Sequence, residues 1–171
     1  MGQQTVVVRT VDTDVVVIAI GLYFSLEVPN LWIDFRSGRS RRWLPIHTFA
    51  HFLGPEKCAA LLFWYAFTGC DTVSSFGGLG KKTAWIVWLA FPEITDTFAR
   101  LSHGSSQFSE VDWLKIQRFV VLLYDRFCPC TYANSARPYL FTKIGRLIDN
   151  CPPTEDALRQ HTHRAIYRSS V

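Results

Sequence analysis

The run TVVVRTVDTDVVVIAIGLYFSL, residues 5 to 26, constrains the fold more than any other part of the chain. Its first six residues are β-branched apart from Arg9, which predicts a short strand. Because these residues barely alternate in polarity, the strand is expected to be parallel, central and buried on both faces. Asp12 or Thr13 can cap a helix that follows at once, and the apolar run continues for about three turns. A strand, an acidic turn and a helix in that order open an α/β fold. The longest apolar stretch, Val15 to Leu26, is about a dozen residues against the ~20 that a bilayer requires, so it reads as a core helix and not as a membrane span.

Further along, Leu31 to Phe35 and Trp43 to Ile46 read as two short strands flanking RSGRSRR, an exposed hairpin turned at Gly38. Helical segments are expected from His47, from Glu56 to Phe67 after a break at Gly54-Pro55, from Thr83 to Phe91, from Val111 to Tyr124, and after Thr154, which can cap the last of them. SHGSSQFSE reads as a surface loop, and neither repeats nor low-complexity segments occur. With 171 residues the chain has room for one domain with a real core. Hydrophobic residues make up 49% and charged residues 19%, a composition that excludes a disordered chain.

The net charge of +4 is too small to announce nucleic acid by itself, so distribution matters more. Arg36, Arg39, Arg41 and Arg42 form one cluster and Lys81-Lys82 another; either alone reads as a solvated loop or hairpin. Five cysteines without regular spacing point to a reduced, intracellular protein. Cys128, Cys130, Cys151, His161 and His163 match no zinc-finger or ribbon spacing, and buried thiols are the plainer expectation. Met1-Gly2 lacks the Ser or Thr at position 6 of a myristoylation signal, and no secretory or nuclear targeting signal is legible.

Two stretches carry possible chemistry. In Asp12-Thr13-Asp14 a helix cap needs one acid only, and a second carboxylate two residues on would repel the first unless a cation neutralised both. In FTGCDTVSSFGGLGKKTAW, residues 67 to 85, an apolar helix ends at Gly69-Cys70-Asp71 and three glycines, Gly77, Gly78 and Gly80, precede Lys81-Lys82 and a new helix. Gly78 and Gly80 would let the backbone approach a partner closely, and the helix start with its two lysines would face an anion such as a backbone phosphate. A tight helix–loop–helix turn with no ligand is the alternative.

GCDTVSSFGGLGKKTA, residues 69 to 84, resembles the helix–two-turn–helix segment of flap endonucleases and related 5′-nucleases of the PIN-like superfamily. VDTDVVVIA, residues 11 to 19, resembles the Asp-x-Asp that follows a strand in the same family, and it stands upstream as the family order requires. FVVLLYDR and PPTEDALRQHTHRAIYR resemble the C-terminal part of uncharacterised animal proteins related to repetitive elements.

The resemblance implies an incomplete PIN-like fold: a parallel central sheet remnant with helices over residues 1–92, its helix–two-turn–helix at about 60–91, and a mainly helical C-terminal extension over 93–171. It implies Asp12, Asp14 and Asp71 as catalytic acids for Mg²⁺ or Mn²⁺. It assigns Gly78, Gly80, Lys81 and Lys82 to the nucleic-acid backbone, DNA or RNA, and main-chain oxygens around Ser75, Phe76 and Leu79 to a monovalent cation such as K⁺. A nuclear location is compatible with it. Family enzymes draw further acids from segments before the Asp-x-Asp, where this sequence has eleven residues. The expected function is therefore a metal-dependent, structure-specific nuclease-like domain of low efficiency, the alternative being an inactive module for nucleic-acid binding or protein interaction.

Overall fold

The computed structural model describes residues 4–38, 40–70, 73–104, 108–144 and 151–170. Its described elements are strands β1 (Thr5–Thr10), β2 (Asn30–Ser37) and β3 (Ser40–Pro45) and helices α1 (Thr13–Gly21), α2 (Ile46–Leu53), α3 (Pro55–Phe67), α4 (Lys81–Ala90), α5 (Thr95–Ser102), α6 (Glu110–Tyr124), α7 (Ala133–Ile144) and α8 (Glu155–Ser169). The fold is α/β with a small mixed sheet. The chain divides into two compact units, residues 1–62 and 63–171; the sequence reading set its division at residue 92.

In the first unit β1 and β2 are parallel and joined through α1, a βαβ crossover, while β2 and β3 form an antiparallel hairpin. Residues paired across strands share a face. Val6 and Val8 of β1, Leu31, Ile33 and Phe35 of β2 and Leu44 of β3 pack with Val16, Ala19 and Ile20 of α1 and with Ile46, Ala50 and Leu53 of α2. Asp12 caps α1, its Oδ1 accepting the Asp14 N–H at 2.8 Å.

Three expectations for this unit need correcting. β1 is an edge strand and not a central one, and its residues alternate between half-buried and exposed positions. Among the described residues the sheet has three strands in the order β1-β2-β3, and α1 and α2 pack on one face of it, so alternate valines of β1 are exposed even though the strand looks uniformly apolar. The apolar run from Val15 likewise yields no fully buried residue within α1, which ends at Gly21 before a 3₁₀ turn at Tyr23–Ser25. In β3 the strand begins earlier than expected, so Arg41 and Arg42 lie in the strand and not in the loop, and Ile46 opens α2.

The second unit is helical and built on aromatic packing. Phe63 and Phe67 on successive turns of α3 stack with centroids 5.3 Å apart, and Phe98 of α5 meets Phe119 of α6 edge-to-face at 5.2 Å. All four rings are fully buried. Two helices escaped the sequence reading. The face of α5 is completed by buried Thr95, Thr97 and Ser102, whose polarity hid its period; the hydroxyls are hydrogen-bonded, Thr97 by donating to Asp112 of α6 at 2.8 Å. α7 contains Pro138, yet Ala133, Ala136 and Leu140 are fully buried, and that packing outweighs the hydrogen bond lost at the proline.

Candidate nucleic-acid interface

The segment between α3 and α4 is shaped by its own hydrogen bonds. Cys70 and Val73 pair as an isolated bridge, with N–H to carbonyl distances of 3.0 and 3.1 Å. Phe76 to Leu79 then forms a turn closed by the Leu79 N–H on the Phe76 carbonyl at 3.0 Å, with Gly78 at φ +70° in its third position. Phe76 is buried, its ring 5.2 Å from Phe67 and 4.9 Å from His161 of α8. The loop is thereby nailed to the aromatic core at one point while Ser74, Ser75, Gly77 and Gly78 stay exposed.

The residues expected to grip an anion divide in their surroundings. Gly80 is the N-cap of α4 at φ −84°, an ordinary value, and it brings no side chain to the first-turn N–H groups. Lys82 is exposed. Lys81 turns back: its Nζ donates to the carbonyls of Gly69 at 2.6 Å and Tyr65 at 2.8 Å and to the Thr68 hydroxyl at 3.2 Å. It also lies 3.8 Å from the centre of the Tyr65 ring. The ammonium thus satisfies the carbonyl end of α3, where a cation also complements the helix dipole. Of the main-chain group expected at a monovalent cation, the Phe76 carbonyl accepts the turn hydrogen bond, Ser75 is exposed and Leu79 half-buried.

Asp12 is exposed at the start of α1 and Asp14 lies in its first turn, both in the first unit, and Asp71 lies outside the described residues. Among the described residues no group of three or more His, Cys, Asp or Glu is placed to hold a metal. Asp12 and Asp14 by themselves supply too few oxygens for two octahedral Mg²⁺ or Mn²⁺ shells. Cys128 and Cys151 pack in an apolar cluster with Val121, Ala136 and Leu140, and burial raises the Cys128 thiol above its usual range.

The sequence reading placed a helix after Thr154 but gave no role to its arginines. Three hollows surround residues 73–77, of about 330, 500 and 540 Å³. They adjoin, because Ser74 and Ser75 line two of them, Val73 two and Arg164 two. Arg137 of α7, Arg164 and Arg168 of α8, and Lys81 supply cations to this concave surface, and no acid occurs among its described lining residues. The spacing of Arg164 and Arg168, one helical turn apart, was the available signal.

His161 ties α8 to the loop. A carbonyl can only accept, so its Nε2 donates to the Phe67 carbonyl at 2.8 Å, and Nδ1 faces the Ser74 hydroxyl at 3.4 Å. Burial, helped by the nearby Arg164 charge and opposed by the Phe67 bond, holds this imidazole below its usual pKa. The unfolded chain therefore takes up the proton more readily than the folded one. Stability linked to His161 is complete above the ordinary value of 6.5 and is lost as pH falls below it. Urea midpoints between pH 8 and 5 should fall more steeply for the parent than for His161→Gln; parallel curves would remove His161 from this role.

Comparison of the chain with protein-family models, curated proteins and solved structures finds no match.

Proposed function

We propose that this chain binds the backbone of nucleic acid through the basic concavity around residues 73–82, as a PIN-like, flap-endonuclease-like module without efficient hydrolysis of its own. The reading is supported chiefly by one observation: three adjoining hollows around the glycine segment are lined by Lys81, Arg137, Arg164 and Arg168 and by no acid among the described residues. Cations gathered on a concave surface concentrate polyanions. The uncapped start of α4 and the exposed Lys82 add donors of the kind that hold phosphate. Asp12, Asp14 and Asp71 are the acids that the resemblance assigns to Mg²⁺ or Mn²⁺, and three carboxylates cannot complete two octahedral shells.

Anisotropy of a labelled DNA duplex at several salt concentrations tests the proposal. Lys82 and Arg164 can meet about two phosphates, so log Kd should change with log salt on a slope of about 2. Arg164→Ala with Lys82→Ala should weaken binding of every duplex sequence alike and lower that slope by about 2, since backbone contacts carry no base information. A 5′-flap substrate with Mg²⁺ or Mn²⁺ should remain uncut. Unchanged affinity in the double variant would turn the concavity into a protein-interaction surface, and robust cleavage abolished by Asp71→Ala would restore the enzyme.

A further inference from the structure

The face of the sheet opposite α1 and α2 is organised around one buried acid. Across the three strands one row reads Arg9, Asp34, Trp43, and the next pairs Arg36 with Arg41. Asp34 is 1% exposed although it lies on the solvent side of the sheet. Its carboxylate accepts Arg9 Nε at 3.0 Å and Arg41 Nε and Nη2 at 2.6 and 3.0 Å, with Arg36 Nη2 at 3.6 Å. The Arg41 guanidinium also lies 4.9 Å from the centre of the Trp43 ring. The Arg41 hydrogen bond, opposed by burial, holds the Asp34 carboxyl below its usual range, so the group is ionised at neutral pH.

One carboxylate against three guanidiniums leaves two positive charges uncompensated, and their positions are fixed by the shared anchor. The outer surfaces of these groups remain open: the Arg9 side chain is 70% exposed and Trp43 is 50% exposed. A second copy of the same face is a poor occupant, because six guanidiniums would meet over two carboxylates. An intact duplex could use the charges but not Trp43, since its bases are already stacked on one another. A partner that brings anions at regular intervals together with free flat rings satisfies both features.

We infer that this face binds single-stranded nucleic acid, its phosphates held by Arg9, Arg36 and Arg41 and one base laid against Trp43. Cations that track a backbone beside an exposed aromatic ring are what a sequence-tolerant single-strand platform requires. Adjacent strands lie about 4.8 Å apart, so the three arginines span roughly 10 Å, enough for two neighbouring phosphates. Arg42, whose pairing with Phe35 places it on the opposite face, takes no part. The site consists of residues 9–43 alone and does not depend on the concavity proposed above.

Fluorescein-labelled oligothymidylate tests it, with a matched duplex and polyglutamate beside it. Trp43→Ala should weaken oligothymidylate binding roughly 5- to 150-fold, the worth of one stacked base, and Trp43→Phe should recover most of the loss. Arg36→Gln, whose contact with Asp34 is the longest, should lower the log–log salt slope by about 0.7 without disturbing the fold. Lys82→Ala with Arg164→Ala should leave the Trp43-dependent part intact, which separates this site from the duplex-binding concavity. The proposal fails if Trp43→Ala, folded by circular dichroism, binds oligothymidylate like the parent, or if Trp43→Phe is no better than Trp43→Ala. It fails equally if duplex binding depends on Trp43 as strongly, or if polyglutamate displaces the oligonucleotide at equal charge concentration, which would identify an acidic peptide instead.

Discussion

Gly69→Ala should destabilise the second unit by about 3 to 5 kcal/mol, the combined cost of a non-glycine residue in a forbidden conformation and of forced displacement in packed surroundings. Gly69 has φ +102°, where an L side chain is strained whatever the space around it. A Cβ there would also sit 2.9 Å from Cα and 2.7 Å from Cβ of Ser75. The obstruction includes main chain, and that main chain leads directly to Phe76 in the aromatic core, so neither partner can yield cheaply. Gly78 supplies the contrast. Its φ of +70° needs glycine for comfort, but nothing lies within 4 Å of a Cβ built on it, and Gly78→Ala should cost about 1 kcal/mol. Urea titrations followed by near-ultraviolet circular dichroism measure both; equal losses at the two positions would overturn the close-approach account of Gly69.

Lys81→Met should cost about 2 to 3 kcal/mol, and for a reason distinct from binding. Methionine keeps the apolar stem beside Trp64 and Tyr65 but withdraws the ammonium from the Tyr65 and Gly69 carbonyls and the Thr68 hydroxyl. Hydrogen bonds from a charged donor are worth more than neutral ones, and the carbonyls at the end of α3 have lost their helical successors. Lys82→Ala, with an exposed side chain, should leave the urea midpoint within the error of measurement. A protein in which both lysines are replaced would mix a folding defect with a binding defect, so the two positions have to be varied separately. An unchanged midpoint in Lys81→Met would show that water replaces the ammonium at no cost.

Local order was legible in the sequence to the extent that local rules decide it. Asp12 and Thr154 cap helices where short polar residues precede apolar periods, and the hairpin turns at Gly38 where glycine and arginines interrupt two apolar runs. What stayed hidden depends on neighbours distant in the chain. TVVVRT reads the same whether a sheet continues on both sides or on one, so its edge position could not be seen. Asp34 within LWIDF carries no sign of burial until the register places Arg9 beside it and Arg36 and Arg41 one row further on. Gly69 looks like an ordinary helix terminator, and the part of its need for glycine that comes from the close approach of Ser75 is not visible in the sequence around it. Lys81 reads as half of a cationic pair, and the direction of its side chain was fixed by carbonyls that α3 leaves open.

The edge position of β1 has a consequence for how this protein behaves at high concentration. Among the described residues the strand has β2 as its one neighbour, so its far side presents backbone donors and acceptors with no ladder of their own, above a surface where Val7 is half exposed. Such a margin is a template on which another chain can crystallise into sheet. Arg9 is the gatekeeper against that outcome: anchored at its inner end by Asp34, it keeps a charge at the rim where a second β1 would have to dock. The ion pairs on the sheet therefore guard solubility as much as they organise a surface, and weakening Asp34 would free the guard along with the grip.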